Sequence, residues 1–504
     1  MPAAADPPAP PRLADGTLLR AEAFIDGLWQ PAASGRRFAV HDPANGGWIT
    51  DVADLDAQDA AHAIAAAPSA GAPWRRLTAR ERGGFLRRWA AQLLTNAEDL
   101  AQLICAEVGK PLREARAEVA SAAAYLDWFA EEGRRAYGEI VPSHRPDARV
   151  LVLREPVGIV AAITPWNFPL GLVARKCAPA LAAGCPVIVK PSELSPLSAL
   201  ALAVLAERAG LPPGLLAVLP ASRENTPAVG SVLTGSPQVR LLSFTGSTAT
   251  GRALMAACAG TVKRLSLELG GNAAFIVFED ADLDLAVAGA VAAKFRNAGQ
   301  TCICPNRLLV AEGIYDSFAE RLAEATAGLV VGDGRQDGTD IGPLINQAAV
   351  ARLERQVSDA LEKGARLVLG GGRHARGGTF FEPTLLTEVT PDMAVAREEI
   401  FGPVAPLMRF SGEAAAVRLA NGTEHGLAAY IYTRDLGRAL RVSEALEAGV
   451  VGLNESLVST EVAPFGGVKQ SGLGREGGRQ GLEDYLETKY VLVGDQTPPG
   501  DVRP

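Results

Sequence analysis

Short apolar runs alternating with helical stretches constrain this chain more than any other feature. VGIVAAIT (157–164) reads as a strand, Pro169 opens a helix that stops at Gly184, VIVK (187–190) is the next strand, and Ser195 caps the helix after it. LLAVLP, RLLSF and KRLSLEL continue the series. Such an alternation folds as a parallel sheet with helices on both faces, so the expected class is α/β, doubly wound and Rossmann-like. A second alternating region runs from about Asn272 to Asn454 through AFIVF, RLLVA, RLVLGG and AAYIYT. Two sequential α/β units leave a cleft between them, a common place for a ligand.

Ahead of the first unit, residues 24–34 are extended and turn-rich, and residues 57–67 and 78–134 carry helical spacing. Segments 140–155 and 485–494 read as exposed strands without a local partner, which suits pairing with another subunit. The Pro- and Ala-rich start, MPAAADPPAPPRLADG, has neither the basic and apolar regions of a secretory signal nor the arginines of a transit peptide. Residues 1–18 are expected to be a disordered tail.

Charge and cysteine content narrow the function classes. With 49 basic and 57 acidic residues the formal net charge is −8, which argues against nucleic acid or an anionic membrane as partner. No apolar run approaches the roughly 18 residues of a spanning helix. Six cysteines in 504 residues do not make a disulfide framework, and a reducing cytoplasm is expected. Cys105, Cys177, Cys185 and Cys258 lie in apolar stretches and read as core thiols. No histidine sits within a chemical motif, and no further ligands stand near Cys302 and Cys304, so no metal site is expected.

The stretch KFRNAGQTCICPNR holds the chemistry. A helix-like run from Asp282 to Arg296 ends at a turn on Gly299, and Cys302 follows, placed to present a thiol on a fixed turn. Upstream, LELGG supplies Glu268, an acid that interrupts an apolar strand. A thiol and a carboxylate in such settings suit covalent catalysis, one attacking and the other activating water. Asn167, between Trp166 and Phe168 in ITPWNFPL, can donate to an oxyanion or simply occupy a Pro-flanked turn. The C-x-C of Cys302 and Cys304 leaves open a reversible disulfide or a packing role for Cys304.

RLLSFTGSTATG places Gly246 and Ser247 between a strand and a helix start, where a pyrophosphate can sit, although the pattern is not G-x-G-x-x-G and a plain tight turn reads equally well. Lys190 and Glu193 follow a strand end; an acid there accepts from a ribose 2′-hydroxyl and repels a 2′-phosphate, which favours NAD over NADP. Arg175 and Arg296 are tied to the segments of Asn167 and Cys302, and together they can clamp a carboxylate. Singly, Arg296 suits a helix end, and Arg175 beside Lys176 suits the surface.

Taken together, TPWNFP, FTGS, LELGGN, GQTC, EEIFGPV and PFGGVKQSGLGREGG resemble the aldehyde dehydrogenase superfamily, in family order from roughly Phe24 to Val493. Within it, KFRNAGQTCIC, NESLVSTEVAPFGG and EDYLETKY resemble members that act on succinate semialdehyde. The resemblance implies Cys302 as nucleophile, Glu268 as general base and Asn167 as oxyanion donor. It implies Trp166, Lys190, Glu193, Gly246, Ser247, Glu399 and Phe465 around NAD, and Arg175, Arg296 and Ser459 at the substrate's far carboxylate. One departure is Ser456, where Gly is more usual.

The implied architecture is an NAD-binding domain (19–138 and 157–268), a catalytic domain (269–455) and a small β oligomerisation flap (139–156 and 480–496), assembled as a homodimer or homotetramer. The implied reaction is oxidation of succinate semialdehyde to succinate through a cysteine thioester. A glutarate-semialdehyde or other small-aldehyde enzyme is the alternative within the family. A non-catalytic or redox-sensing protein on the same fold is the alternative outside its chemistry; it would be expected to lack Cys302 or Glu268.

Overall fold

The computed structural model describes residues 11–494. The elements that position the site follow in chain order. They are α1 (Leu112–Glu132), β1 (Ile159–Ile163), α2 (Gly171–Ala183), β2 (Val187–Lys190), α3 (Leu197–Arg208), β3 (Leu216–Val218), β4 (Val239–Thr245), α4 (Thr248–Cys258), β5 (Arg264–Glu268), β6 (Ala273–Val277), α5 (Leu283–Phe295) and β7 (Pro305–Ala311).

Strands β3, β2, β1, β4 and β5 pair in parallel in that spatial order. Their apolar, β-branched runs are buried because helices cover both faces. The antiparallel strands Ala23–Ile25 and Leu28–Gln30 extend one edge, and Gly472–Leu473 adds to the other beside β5. A second sheet is built on β6 and β7 with parallel strands Thr384–Thr387, Val404–Phe410, Ala428–Tyr432 and Val450–Leu453, closed by the antiparallel edge strand Arg366–Leu369. This is the two-unit α/β arrangement expected from the alternation.

Register aligns the carboxyl ends of the first sheet. Ile163 pairs with both Lys190 and Phe244, and Thr245 pairs with Glu268. The loops leaving these strands therefore emerge side by side, at the edge where open α/β sheets take their ligands.

Several local expectations are corrected. The helix expected at 57–67 runs from Ala57 to Arg76 through Pro68 and Pro73. The stretch 78–134 divides into Ala79–Thr95, Ala97–Val108 and α1, broken near Asn96 and at Gly109, whose φ of +84° is left-handed. Gly184 does end α2, with φ of +107°. Ser195 does not cap α3: the buried Glu107 carboxylate accepts from the Leu197 and Ser198 amides at 2.8 and 2.9 Å, and Ser195 Oγ donates to the Trp166 carbonyl.

The expected tail reaches into order. Residues 1–10 lie outside the described residues, but the Asp99 carboxylate accepts from the Ala14 and Asp15 amides, and Leu18 is buried. The two strands expected to lack local partners pair with each other. Arg149–Pro156 runs antiparallel to Leu486–Val493, and Glu139–Val141 forms the third strand, with Ile140 78% exposed. Residues 495 and 496 of the expected flap lie outside the described residues. Among the described residues, no helix is long and apolar enough to cross a membrane.

Candidate active site

The loops at the carboxyl edge of the first sheet face the turn after α5, and between them lies a cavity of about 720 Å³. Asn167, Glu268 and Cys302 all line it, as do Trp166, Gly246, Ser247, Glu399 and Phe465, and so do Arg175, Arg296 and Ser459. Lys190 and Glu193 do not line it; they sit at the end of β2, on the far side of β1 from the Glu268 strand.

The Cys302 turn is held by its neighbours in a conformation it would not choose alone. Asn297 and Ala298 are left-handed, with φ of 50° and 54°, and Gly299 follows at 73°. The Asn297 amide donates to the Glu114 carboxylate at 2.8 Å, Gln300 Nε2 to the Asn297 carbonyl at 3.1 Å, and the Ile345 amide to Gln300 Oε1 at 3.0 Å. The turn also lies against LELGG: a Cβ on Gly271 would stand 2.2 Å from the Cys302 carbonyl oxygen.

Cys302 is partly exposed to the cavity, whereas Cys304 is buried with its thiol against the Lys294 carbonyl; both are free thiols. Burial, with the Glu268 and Glu399 charges, pushes the Cys302 thiol up to about 12, against the pull of Arg175 and Arg296. It therefore rests protonated at neutral pH and needs a base to become a nucleophile. Cys105, Cys177, Cys185 and Cys258 are buried, as expected of core thiols.

Glu268 ends β5 and is 3% exposed, and neither carboxyl oxygen has a hydrogen-bond partner among the described residues. Burial and the neighbouring Glu476 raise it well above the ordinary carboxyl range, with Lys176, Arg475 and Arg175 opposing. Arg175, for which a surface place beside Lys176 was one reading, instead lines the cavity, and Lys176 is wholly buried. Its ammonium donates to Glu476 at 2.7 Å and to Ser243 Oγ at 3.2 Å. An acid so placed is suited to hold a proton and to release it.

Asn167 Nδ2 donates one hydrogen to the Gln300 carbonyl at 3.0 Å, and its Oδ1 has no partner among the described residues. This bond leaves the second N–H for a ligand. Trp166 packs edge-on against Phe401, with ring centroids 5.7 Å apart.

One region of the wall is cationic and aromatic. Arg175 Nη2 donates to Ser459 Oγ at 2.6 Å, and its guanidinium lies over Tyr125 and Phe465 at 4.6 and 5.2 Å. Arg296 lies over Phe168 at 5.4 Å and makes no hydrogen bond or ion pair among the described residues. An unpaired guanidinium on a cavity wall is suited to receive an anion. Ser456, the departure noted above, is buried against Tyr432, with 2.8 Å between the two hydroxyl oxygens, and does not line the cavity.

The cavity also has features that fit a dinucleotide. Ser247 Oγ caps α4 by accepting from the Thr250 amide, which leaves an open helix N-terminus beside Gly246. The buried Thr245 Oγ1, at the end of β4, has no partner among the described residues. Glu399 Oε1 accepts from the Gly271 amide at 3.0 Å, and burial raises its carboxyl to about 7. Lys190 is buried, which lowers its ammonium to about 8 against the pull of Glu193. No group of three or more His, Cys, Asp or Glu able to hold a metal occurs among the described residues.

Sequence reasoning gave no role to Glu114, Glu118, Lys110, Lys176 or Glu476. The available signal was charge embedded in apolar helices, as in VARKCAPA, and the acid of GREGG.

The model of the aldehyde dehydrogenase family matches residues 29–491. A 3-sulfolactaldehyde dehydrogenase of Pseudomonas putida is 57% identical over 96% of this chain and 99% of its own. The NADP(+) succinate-semialdehyde dehydrogenase GabD of Escherichia coli (strain K12) is 54% identical over 96% and 100%. The crystal structure of succinate-semialdehyde dehydrogenase from Burkholderia pseudomallei superposes with a TM-score of 0.94 at 56% identity, over 96% of this chain and 99% of that one.

Proposed function

The chain belongs to the aldehyde dehydrogenase family, and we propose that it oxidises succinate semialdehyde to succinate, with NAD preferred. The observation that carries the substrate reading is the unpaired Arg296 in the same cavity as Cys302, beside the Arg175–Ser459 pair. A short aldehyde ending in an anion places its charge there and its carbonyl at the thiol.

In this reading Cys302 gives up its proton to a water in the cavity, which hands it to solvent, and its sulfur bonds to the aldehyde carbon as the C=O π bond opens to an oxyanion. The free N–H of Asn167 donates to the resulting oxyanion. NAD(P), when bound, supplies the hydride acceptor, and the residues that would hold it are Gly246, Ser247 and Glu399, with Trp166 and Phe465 along the wall and Lys190 and Glu193 one strand away. The substrate carbon then remains on Cys302 as a thioester. Glu268 takes a proton from water, the hydroxide adds to the thioester carbon, and the C–S bond breaks to release the carboxylate and the thiol. For each aldehyde oxidised, one water is consumed, one hydride leaves and two protons are released.

Glu193 supports the preference for NAD, since its charge opposes a 2′-phosphate. The E. coli relative is named for NADP(+), so the choice turns on this local charge. Residues 19–138 with 157–268 are read as the cofactor domain and 269–455 as the catalytic domain. The three-stranded flap, with its exposed outer strand, is read as the seat of a homodimer or homotetramer. The free cysteines fit a reducing cytoplasm.

The test is a panel of succinate semialdehyde, glutarate semialdehyde, 3-sulfolactaldehyde and propanal, each with NAD and with NADP. The expected result is the highest kcat/KM with succinate semialdehyde and NAD. A kcat/KM for propanal equal to that for the anionic aldehydes would remove the substrate reading.

A further inference from the structure

Away from the reacting groups, a buried cation and a carboxylate grip the loop that carries Asn167. Lys110 is 1% exposed and Glu118, on α1, is 5% exposed. Lys110 Nζ donates to Glu118 Oε2 at 2.6 Å and to the Asn167 backbone carbonyl at 2.7 Å, and it lies 3.9 Å from the centroid of the Phe168 ring. The other carboxyl oxygen of Glu118 accepts from the Leu170 and Gly171 amides, both at 3.0 Å, and so caps α2. One ion pair thus holds both ends of the 167–171 loop.

The backbone that carries Lys110 is itself fixed. A Cβ on Gly334 would stand 2.3 Å from the Lys110 carbonyl oxygen, and the Leu112 amide donates to the Gly334 carbonyl at 2.8 Å. One helical turn before Glu118 on α1, Glu114 accepts from the Asn297 amide of the Cys302 turn. The same helix therefore anchors the loop of the oxyanion amide and the turn of the thiol.

A buried pair of charges gains little net stability over apolar side chains of similar volume. It does fix geometry, and an oxyanion donor is effective only when its N–H is already aimed. We propose that Lys110, held by Glu118, is a positioning residue that sets the Asn167 amide for the oxyanion. The inference rests on the reading of Asn167 as the oxyanion donor.

Lys110→Met alone strands a buried carboxylate and endangers the fold, so the decisive variant is Lys110→Met/Glu118→Gln. It removes both charges, and the new side-chain carbonyl still accepts from Leu170 and Gly171. Its kcat/KM for the aldehyde is expected to fall on the order of 10- to 100-fold, the scale of a misaimed catalytic group. Alkylation of Cys302 by iodoacetamide should stay at the wild-type rate. Introduced into an Asn167→Ala background, the double substitution should cost less than about twofold more, because its target is already gone.

A folded double variant with wild-type kcat/KM beside a slow Asn167→Ala overturns the inference and leaves the oxyanion reading standing. So does a full multiplicative loss in the Asn167→Ala background. A wild-type kcat/KM in Asn167→Ala alone overturns the oxyanion reading and the inference with it.

Discussion

Gly271 lies directly beneath the Cys302 carbonyl, so close that a methyl group there would meet the oxygen at 2.2 Å. The second glycine of LELGG is thus a packing requirement of the thiol turn, contributed by a different loop. Gly271→Ala should move that turn and lower kcat at least tenfold. Steady-state kinetics check this, with circular dichroism to show that the fold is kept; an unchanged kcat means the turn has room to yield.

Cys302 is pushed up to about 12. In the cofactor-free protein its iodoacetamide alkylation should therefore climb about tenfold per pH unit between pH 7 and pH 10. A rate that levels off by about pH 9–10 would show an ordinary thiol. Cys302→Ala should lose all dehydrogenase activity and still bind NAD, and mass spectrometry of enzyme stopped in turnover should find the acyl group on Cys302 alone.

Glu268→Gln should give a burst of NADH followed by negligible steady turnover, since loss of the proton acceptor slows hydrolysis of the thioester most. Stability carries a second signature. Burial and Glu476 raise the folded pKa of Glu268 above its unfolded value. Its contribution is therefore fully present below the unfolded pKa and is lost as pH rises through the folded one. Gln does not ionise, so the variant should gain stability relative to wild type as the pH rises above the ordinary carboxyl value of 4.5. Thermal melts across that rise would contradict the assignment if the difference stayed flat.

Arg296→Ala should lower kcat/KM for succinate semialdehyde by about 1.5–3 kcal/mol, roughly 10- to 150-fold, the size of a hydrogen bond to a charged group. Propanal should be affected less than about threefold. Equal losses for both aldehydes would assign Arg296 to the structure of the turn rather than to the substrate.

Glu193→Gln should shift the NADP-to-NAD ratio of kcat/KM upward by about tenfold, as a charge opposing the 2′-phosphate is removed. A ratio that does not move would place the 2′ position away from Glu193, which the cavity lining already leaves to one side.

The reacting groups were legible because each breaks a local pattern: a cysteine just past a glycine turn, and an acid at the end of an apolar strand. Their supports were not, because they act across the chain. Glu107 caps a helix 90 residues away, where Ser195 looked sufficient, and Lys176 meets Glu476 across 300 residues. Adjacent charges such as Arg175 and Lys176 suit a surface until the buried Glu476 is known to lie against them. The flap strands lack a partner in the local sequence for the same reason, since periodicity reports which face a residue occupies and says nothing about what lies against it. Lys190 does end β2, but neither it nor Glu193 lines the main cavity.

The flap sets a timetable for synthesis. Arg154 and Thr488, bonded across its two long strands, are 334 residues apart. At ribosomal speeds of about 5–20 residues per second, Arg149–Pro156 waits roughly 20–70 s for its mate. Throughout that interval it offers an unpaired β-edge to every nascent copy nearby. Shielding by a chaperone, or slow initiation that keeps copies apart, should therefore govern how much of the protein is recovered in a form that dissolves.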